Sequence, residues 1–197
     1  ETDIEIPQVT SMETWPSVHF KETGYAVLRS GTKTVVMKYG PHGGGHGHPD
    51  KLSISIHDGE KEIVSDMGTC AYGVPAFTKW YRKTLSHSTL TVDAKDQKES
   101  TGKLLAFKAY KDGGEVSAEA PDAYSGVTME RKLILKKNKL TDILTARSDE
   151  QHLYDYVLIL TEKPVFSQTG EVIILNDSPS YNLSLIHISE PTRPISI

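Results

Sequence analysis

His42, His46 and His48 crowd into one glycine-rich run, Tyr39-Gly-Pro-His-Gly-Gly-Gly-His-Gly-His-Pro-Asp-Lys-Leu52. Imidazole moves protons near neutral pH and is a common zinc ligand. The interleaved glycines permit left-handed backbone and let a ligand approach the main chain closely. If the run is extended, His46 and His48 point to one face, because side chains alternate with period two. Two imidazoles on one strand face make a metal site or a catalytic pair. The plain alternative is a Gly/His-rich surface loop. Downstream, Asp66 ends an apolar run where residues 63–69 enter a turn, and His87 sits in the strand-like stretch 84–93. Imidazoles with one carboxylate and no thiolate suit zinc.

The elements that must position these groups read as strands. Short alternating or apolar runs recur at 24–29, 33–39, 51–57, 62–66, 88–92, 103–110, 116–120, 127–135, 140–146, 154–160 and 171–175. Leu52, Ile54 and Ile56 alternate with Ser53, Ser55 and His57, the pattern of a half-buried strand. Val127, Met129, Leu133 and Leu135 share a second apolar face that Arg131 interrupts. Turn signals separate the runs at Ser30-Gly31, Asp58-Gly59, residues 112–114 and residues 137–139. Many short strands at this spacing predict an all-β, antiparallel β-sandwich. Residues 72–83, rich in aromatics and cations, read as a long loop, and residues 1–18 as a linker or entry segment.

Composition narrows the class. Hydrophobic residues make up 37%, charged residues 24%, and the net charge is −4, as in soluble globular proteins. That balance argues against nonspecific nucleic-acid binding, which needs a basic face. No apolar run approaches membrane-spanning length. Cys70 is alone, so it has no internal disulfide partner. Residues 183–197 begin with a stretch matching a translated sequencing-library adapter and are expected to lie outside the fold, so His187 is not counted as a ligand. Residues 19–182 are thereby expected to form one sandwich domain, truncated from a longer chain.

The ordered motifs carry a resemblance. Gly24-Tyr-Ala-Val-Leu-Arg-Ser30, the run from Gly40 to Leu52, Asp66-Met-Gly-Thr69, Trp80-Tyr-Arg-Lys-Thr84 and Ser86-His-Ser-Thr89 together resemble the heparinase II/III family, with alginate and oligoalginate lyases nearest in likeness. The resemblance implies the C-terminal β-sandwich of an enzyme whose N-terminal α/α toroid is absent here. It implies a mainly structural zinc held by His48, Asp66 and His87, with His46 facing the substrate cleft. Ser88 departs from the asparagine that many relatives carry there.

The implied reaction is β-elimination at a uronic acid of an acidic polysaccharide or oligosaccharide, alginate-like or glycosaminoglycan, by a periplasmic or secreted enzyme. His46 would neutralise the sugar carboxylate, and the toroid would supply the principal tyrosine. Tyr72, Tyr81, Arg82, Lys51 and His42 are the expected substrate contacts, with Trp80 and Lys79 as further candidates. Ordinary packing or solvated charge is the alternative for each, and Arg29 reads as a tie between strands. Two rival functions stay open: a noncatalytic, zinc-stabilised carbohydrate-binding sandwich, and a cupin-type metalloenzyme with its own HxH pair. Asp50 lies too close to the histidines, and Glu60 across a turn, for the usual cupin glutamate.

Overall fold

In the computed structural model, residues 15–162, 165, 195 and 196 are described. The expected strand at 171–175, residues 1–14 of the entry segment and nearly all of 183–197, His187 included, lie outside the described residues. Eleven of the strands are β1 (Val18–Phe20), β2 (Tyr25–Ser30), β3 (Lys33–Lys38), β4 (Ser53–Asp58), β5 (Lys61–Val64), β6 (Leu90–Val92), β7 (Lys103–Ala109), β8 (Gly113–Tyr124), β9 (Val127–Lys136), β10 (Lys139–Arg147) and β11 (Tyr154–Leu158). The twelfth, β12 (Ile195–Ser196), pairs with β11. β1 to β5 form one antiparallel sheet in chain order, and β10-β9-β8-β7 form a second; β6 and β11 pair in a small third sheet.

The two large sheets stack as an antiparallel β-sandwich. Alternation explains the stacking: Ala26, Leu28, Val35, Met37 and Ile54 point inward from the first sheet and meet Val116, Ala118, Met129, Leu133 and Leu135 of the second. The alternating face expected for β9 is present; in β4, Ile54 and Ile56 pack toward the core, but Ser53 is buried as well and Leu52 lies before the strand. Three local readings are corrected. β1 starts at Val18, inside the expected entry segment, and pairs with β2. β4 starts at Ser53, two residues later than expected, because Leu52 takes a left-handed φ of 62° that ends extended pairing. Within 72–83, Phe77–Tyr81 forms a short π-helical turn that buries Phe77 and Trp80. Trp80 packs with Leu85, Val157 and Ile159, so it belongs to a small core and not to a cleft.

Arg131, the interruption in the apolar face of β9, has no exposed surface. Its Nη1 donates to the backbone oxygens of Leu52 (2.8 Å) and Ser88 (2.7 Å). Nε donates to Asp142 Oδ1 at 2.9 Å, and Nη2 donates to Tyr156 Oη at 2.7 Å. Removing one partner of a buried charge pair costs about 3–5 kcal/mol, since the other is left uncompensated. Arg131→Met is therefore expected to lower unfolding free energy by about that amount in chemical denaturation. A loss below about 1 kcal/mol would mean the carbonyls of Leu52 and Ser88 find other donors.

Candidate functional site

The site lies on the outer face of the five-stranded sheet. β-pairing sets Tyr25, Lys38 and Ser53 opposite one another across β2, β3 and β4, with Val36 and Ser55 in the next row. Met37 and Ile54 point to the core, so Val36 and Lys38 necessarily point away from it. The chain then leaves β3 through Gly40, whose backbone lies against Gly24: a Cβ on Gly40 would meet Thr23 O at 2.4 Å and Gly24 Cα at 2.6 Å. Only glycine fits this crossing. The histidine-rich run follows as an irregular loop with one 3-10 turn at Gly44–His46. His46 and His48 are thus not neighbours on a strand. The turn and Gly47 re-aim the chain between them.

A cavity of about 350 Å³ is lined by Lys38, His46, His48, Asp50 and Asp66, among others. His46 is exposed at its mouth, where Nδ1 and the Tyr72 hydroxyl are 2.6 Å apart. The Tyr72 ring is held edge-on by Phe77, with centroids 4.8 Å apart. On the inner side, His87 Nδ1 is 3.2 Å from Asp66 Oδ2, and the rings of His48 and His87 lie 5.2 Å apart. Of the expected trio, Asp66 and His87 are in direct contact and the His48 ring lies beside that of His87, but the donors within mutual reach are those of Asp66, His87 and Asp50, not His48; His46 pairs with Tyr72 instead.

The donors suit a divalent cation. His87 is fully buried, yet its Nε2 has no hydrogen-bond partner among the described residues. A buried nitrogen without a protein partner is available to a metal or a water. Among the described residues, donor atoms of Asp50, Asp66 and His87 all lie within 4.8 Å of one another. Burial pushes the Asp66 carboxyl up, but the hydrogen bond and charge of His87, together with Gly68 N–H, hold it below the ordinary range. Burial and the neighbouring His87 push the His48 imidazole down. An ionised carboxylate and a neutral imidazole are the forms that bind zinc.

The loop around the donors is clamped by buried polar contacts. Thr84 Oγ1 donates to Pro49 O (2.9 Å) and Thr89 Oγ1 to Lys51 O (2.7 Å). Gln97 Oε1 accepts from Lys51 N at 2.7 Å. Ser88 still supplies a hydrogen bond beside the third expected ligand: its Oγ accepts from Ile159 N at 3.0 Å.

The expected substrate contacts divide. Tyr72 joins His46 at the first cavity. His42 and Arg82 instead line a second cavity of about 300 Å³, with Gln97 and Glu99, beyond Pro49. Tyr81 packs partly buried against the Trp80 cluster. Lys51 is corrected outright: it is 1% exposed and 3.3 Å from Asp50 Oδ1, so it is neither a solvated cation nor a cleft contact. Burial pushes its ammonium down, only partly offset by Asp50. Lys38 was missed in the sequence. It sits in an apolar-looking strand, but its phase, one residue after inward-facing Met37, is the signal that could have found it.

Comparison with known proteins gives consistent relatives. A family model described as Heparinase II/III-like, C-terminal, matches residues 12–160. An exo-oligoalginate lyase of Saccharophagus degradans is 29% identical over 150 residues, 63% of this chain and 20% of its own length. An alginate lyase of Stenotrophomonas maltophilia is 28% identical over 162 residues, 68% of this chain and 22% of its own. The chain thus spans about a fifth of the length of these relatives. The crystal structure of heparan sulfate lyase HepC from Pedobacter heparinus shares the fold with a TM-score of 0.69 at 22% identity, covering 76% of this chain and 25% of that one.

The loop geometry is testable through its glycines. A Cβ on Gly47 would lie 1.8 Å from the His42 carbonyl oxygen, whereas one on Gly45 meets nothing within 4 Å. Gly47→Ala is expected to cost roughly 1–3 kcal/mol in thermal or chemical unfolding, with Gly45→Ala near neutral. Equal effects would show that the turn does not fix the loop.

Proposed function

The chain belongs to the Heparinase II/III-like, C-terminal family, and we propose that it is the sandwich part of a polysaccharide lyase acting on a uronic-acid polymer. The relatives named as alginate lyases support an alginate-like substrate, and the fold shared with a heparan sulfate lyase keeps a glycosaminoglycan as the second candidate. The family assignment leaves no support for the cupin reading. The observation that carries the proposal is the division of the histidines: His46 with Tyr72 at the open mouth, His48 and His87 with Asp66 on the inner side.

In β-elimination a base takes the C5 proton, those electrons form the C4–C5 double bond, the C4–O bond breaks, and the departing oxygen takes a proton. The C5 proton becomes acidic enough only when the adjacent carboxylate is neutralised, because the developing charge is enolate-like. His46 suits that neutralising role. Where the Tyr72 hydroxyl donates to Nδ1, the Nε2–H tautomer would be left to meet the sugar carboxylate. His48, Asp66 and His87 would hold zinc, which when bound would cross-link the loop after β3 to the segments before β6 and after β5. Its role in this reading is structural. Tyr72 flanks the reacting sugar, and His42 and Arg82 would meet more distant residues of the polymer.

The base and acid are assigned to an α/α toroid packed against this sandwich, as the resemblance implies. A polymeric substrate supports a periplasmic or secreted location for the enzyme. Among the described residues no helix is long and apolar enough to cross a membrane.

The test uses a lyase carrying this sandwich together with its toroid. His46→Ala is expected to abolish the absorbance of the unsaturated uronate product while zinc content and melting temperature persist. His87→Ala is expected to lose zinc, and with it the melting-temperature gain that a chelator removes from the unmodified protein. Equal metal loss in both variants would show that the histidines are divided wrongly. Retained oligouronate binding with no product from the unmodified protein would assign the sandwich to binding alone.

A further inference from the structure

The geometry points to Asp50 as a fourth protein donor of the metal site, with Lys38 as the cation that competes for the same carboxylate. The inference rests on the zinc reading above and deepens it. Asp50 is 4% exposed, and its donor atom is among the three, with Asp66 and His87, that lie within 4.8 Å of one another. Its backbone is fixed on both sides. Asp50 N donates to His48 O at 3.0 Å, and Asp50 O accepts from Ser53 N at 3.1 Å. Its two oxygens face two ammonium groups: Oδ2 is 2.5 Å from Lys38 Nζ and Oδ1 is 3.3 Å from Lys51 Nζ.

The two lysines differ in their freedom. Lys51 is 1% exposed and clamped through its backbone by Gln97 and Thr89, so its ammonium stays with Oδ1. Lys38 is 21% exposed, reaches Asp50 from the end of β3 and lines the cavity. Two lysines against Asp50 and Asp66 sum to no net charge, and a divalent cation added beside them would leave two positive charges in excess. The cheapest relief is for Lys38 to leave Oδ2 to the metal and turn its ammonium into the cavity. That places a cation near His46, where a sugar carboxylate must be neutralised. Asp50, Asp66 and His87 supply three donors in mutual reach, and His48, its ring 5.2 Å from that of His87, would turn in as the fourth, leaving zinc no open position, which is the pattern of a structural site.

The experiment compares the full 197-residue chain with Asp50→Asn, Lys38→Met and the double variant. Zinc affinity is measured by competition with a chromogenic chelator, and the coordination sphere by the d–d spectrum of the cobalt(II) form. Asp50→Asn is expected to weaken zinc about tenfold or more and to change the cobalt spectrum. Lys38→Met is expected to tighten zinc by removing the competing ammonium. That gain should vanish in the double variant, since a ligand-specific competition needs Asp50 whereas through-space repulsion by Lys38 does not. A wild-type cobalt spectrum in Asp50→Asn, or a Lys38→Met gain that persists without Asp50, overturns the proposal while leaving the zinc reading intact. Failure of the unmodified chain to bind either metal overturns both. Should Asp50→Asn not fold by circular dichroism, Asp50→Glu keeps the charge for both lysines but moves the oxygens, and an unchanged cobalt spectrum there is equally decisive against it.

Discussion

A single buried guanidinium joins the parts of this structure that chemistry needs together. Arg131 rises from the inward face of β9 and donates to the carbonyls of Leu52 and Ser88, which belong to the two segments bearing the expected metal ligands. Leu52 ends the loop that carries His46 and His48, and Ser88 directly follows His87. The guanidinium's remaining donors go to Asp142 and Tyr156, so its charge is compensated and its N–H groups are used. Burial, aided by Asp142 and opposed by the guanidinium itself, pushes the Tyr156 hydroxyl well above the usual tyrosine range, keeping it neutral and able to donate. Leucine with φ of 62° is held in a costly backbone conformation, and the bond from Arg131 to its carbonyl helps hold it there.

From that anchor the site is built in layers of decreasing constraint. Innermost, Thr84, Thr89 and Gln97 saturate the backbone of residues 49–51 with buried hydrogen bonds. Next, His87, Asp66 and Asp50 crowd together, with the His48 ring beside His87 and Lys38 and Lys51 against Asp50. Outermost, His46 and Tyr72 lie at an exposed mouth. The clamped inner layer fixes the ends of the loop that carries His46, which is how a loop-borne group gains positional precision.

The sheet periodicities were legible because burial on one face is a local, alternating property: β9 could be read residue by residue, whereas in β4 the site loop also buries Ser53. The family was legible through the ordered motifs. What stayed hidden depends on contacts between residues far apart in sequence. Lys51 reads as a surface cation until Asp50, Gln97 and Thr89 are seen to enclose it. Arg131 reads as a flaw in an apolar face until the carbonyls of Leu52 and Ser88, 79 and 43 residues away, are seen to need its donors. His42 and Arg82 look like companions of His46 in the sequence. Pro49 and the turn at Gly44–His46 instead send them to a separate cavity. Trp80 reads as a cleft aromatic only while residues 77–81 are taken as loop.

The placement of His46 and His48, two residues apart, has a physical logic that a strand would not supply. On a strand they would share one face and one dielectric environment, and a cation bound by one would repel protonation of the other. The 3-10 turn and Gly47 break that equivalence. His48 sits beside His87, where burial and that neighbour favour its neutral, metal-binding form. His46 stays at the surface with a hydroxyl on Nδ1. One imidazole can thus serve as a permanent ligand and the other as a donor to an anion, although scarcely any chain separates them. The glycines are what make this possible: a side chain at Gly47 would collide with the His42 carbonyl, and the two histidines would lose the turn that sends them to different surroundings.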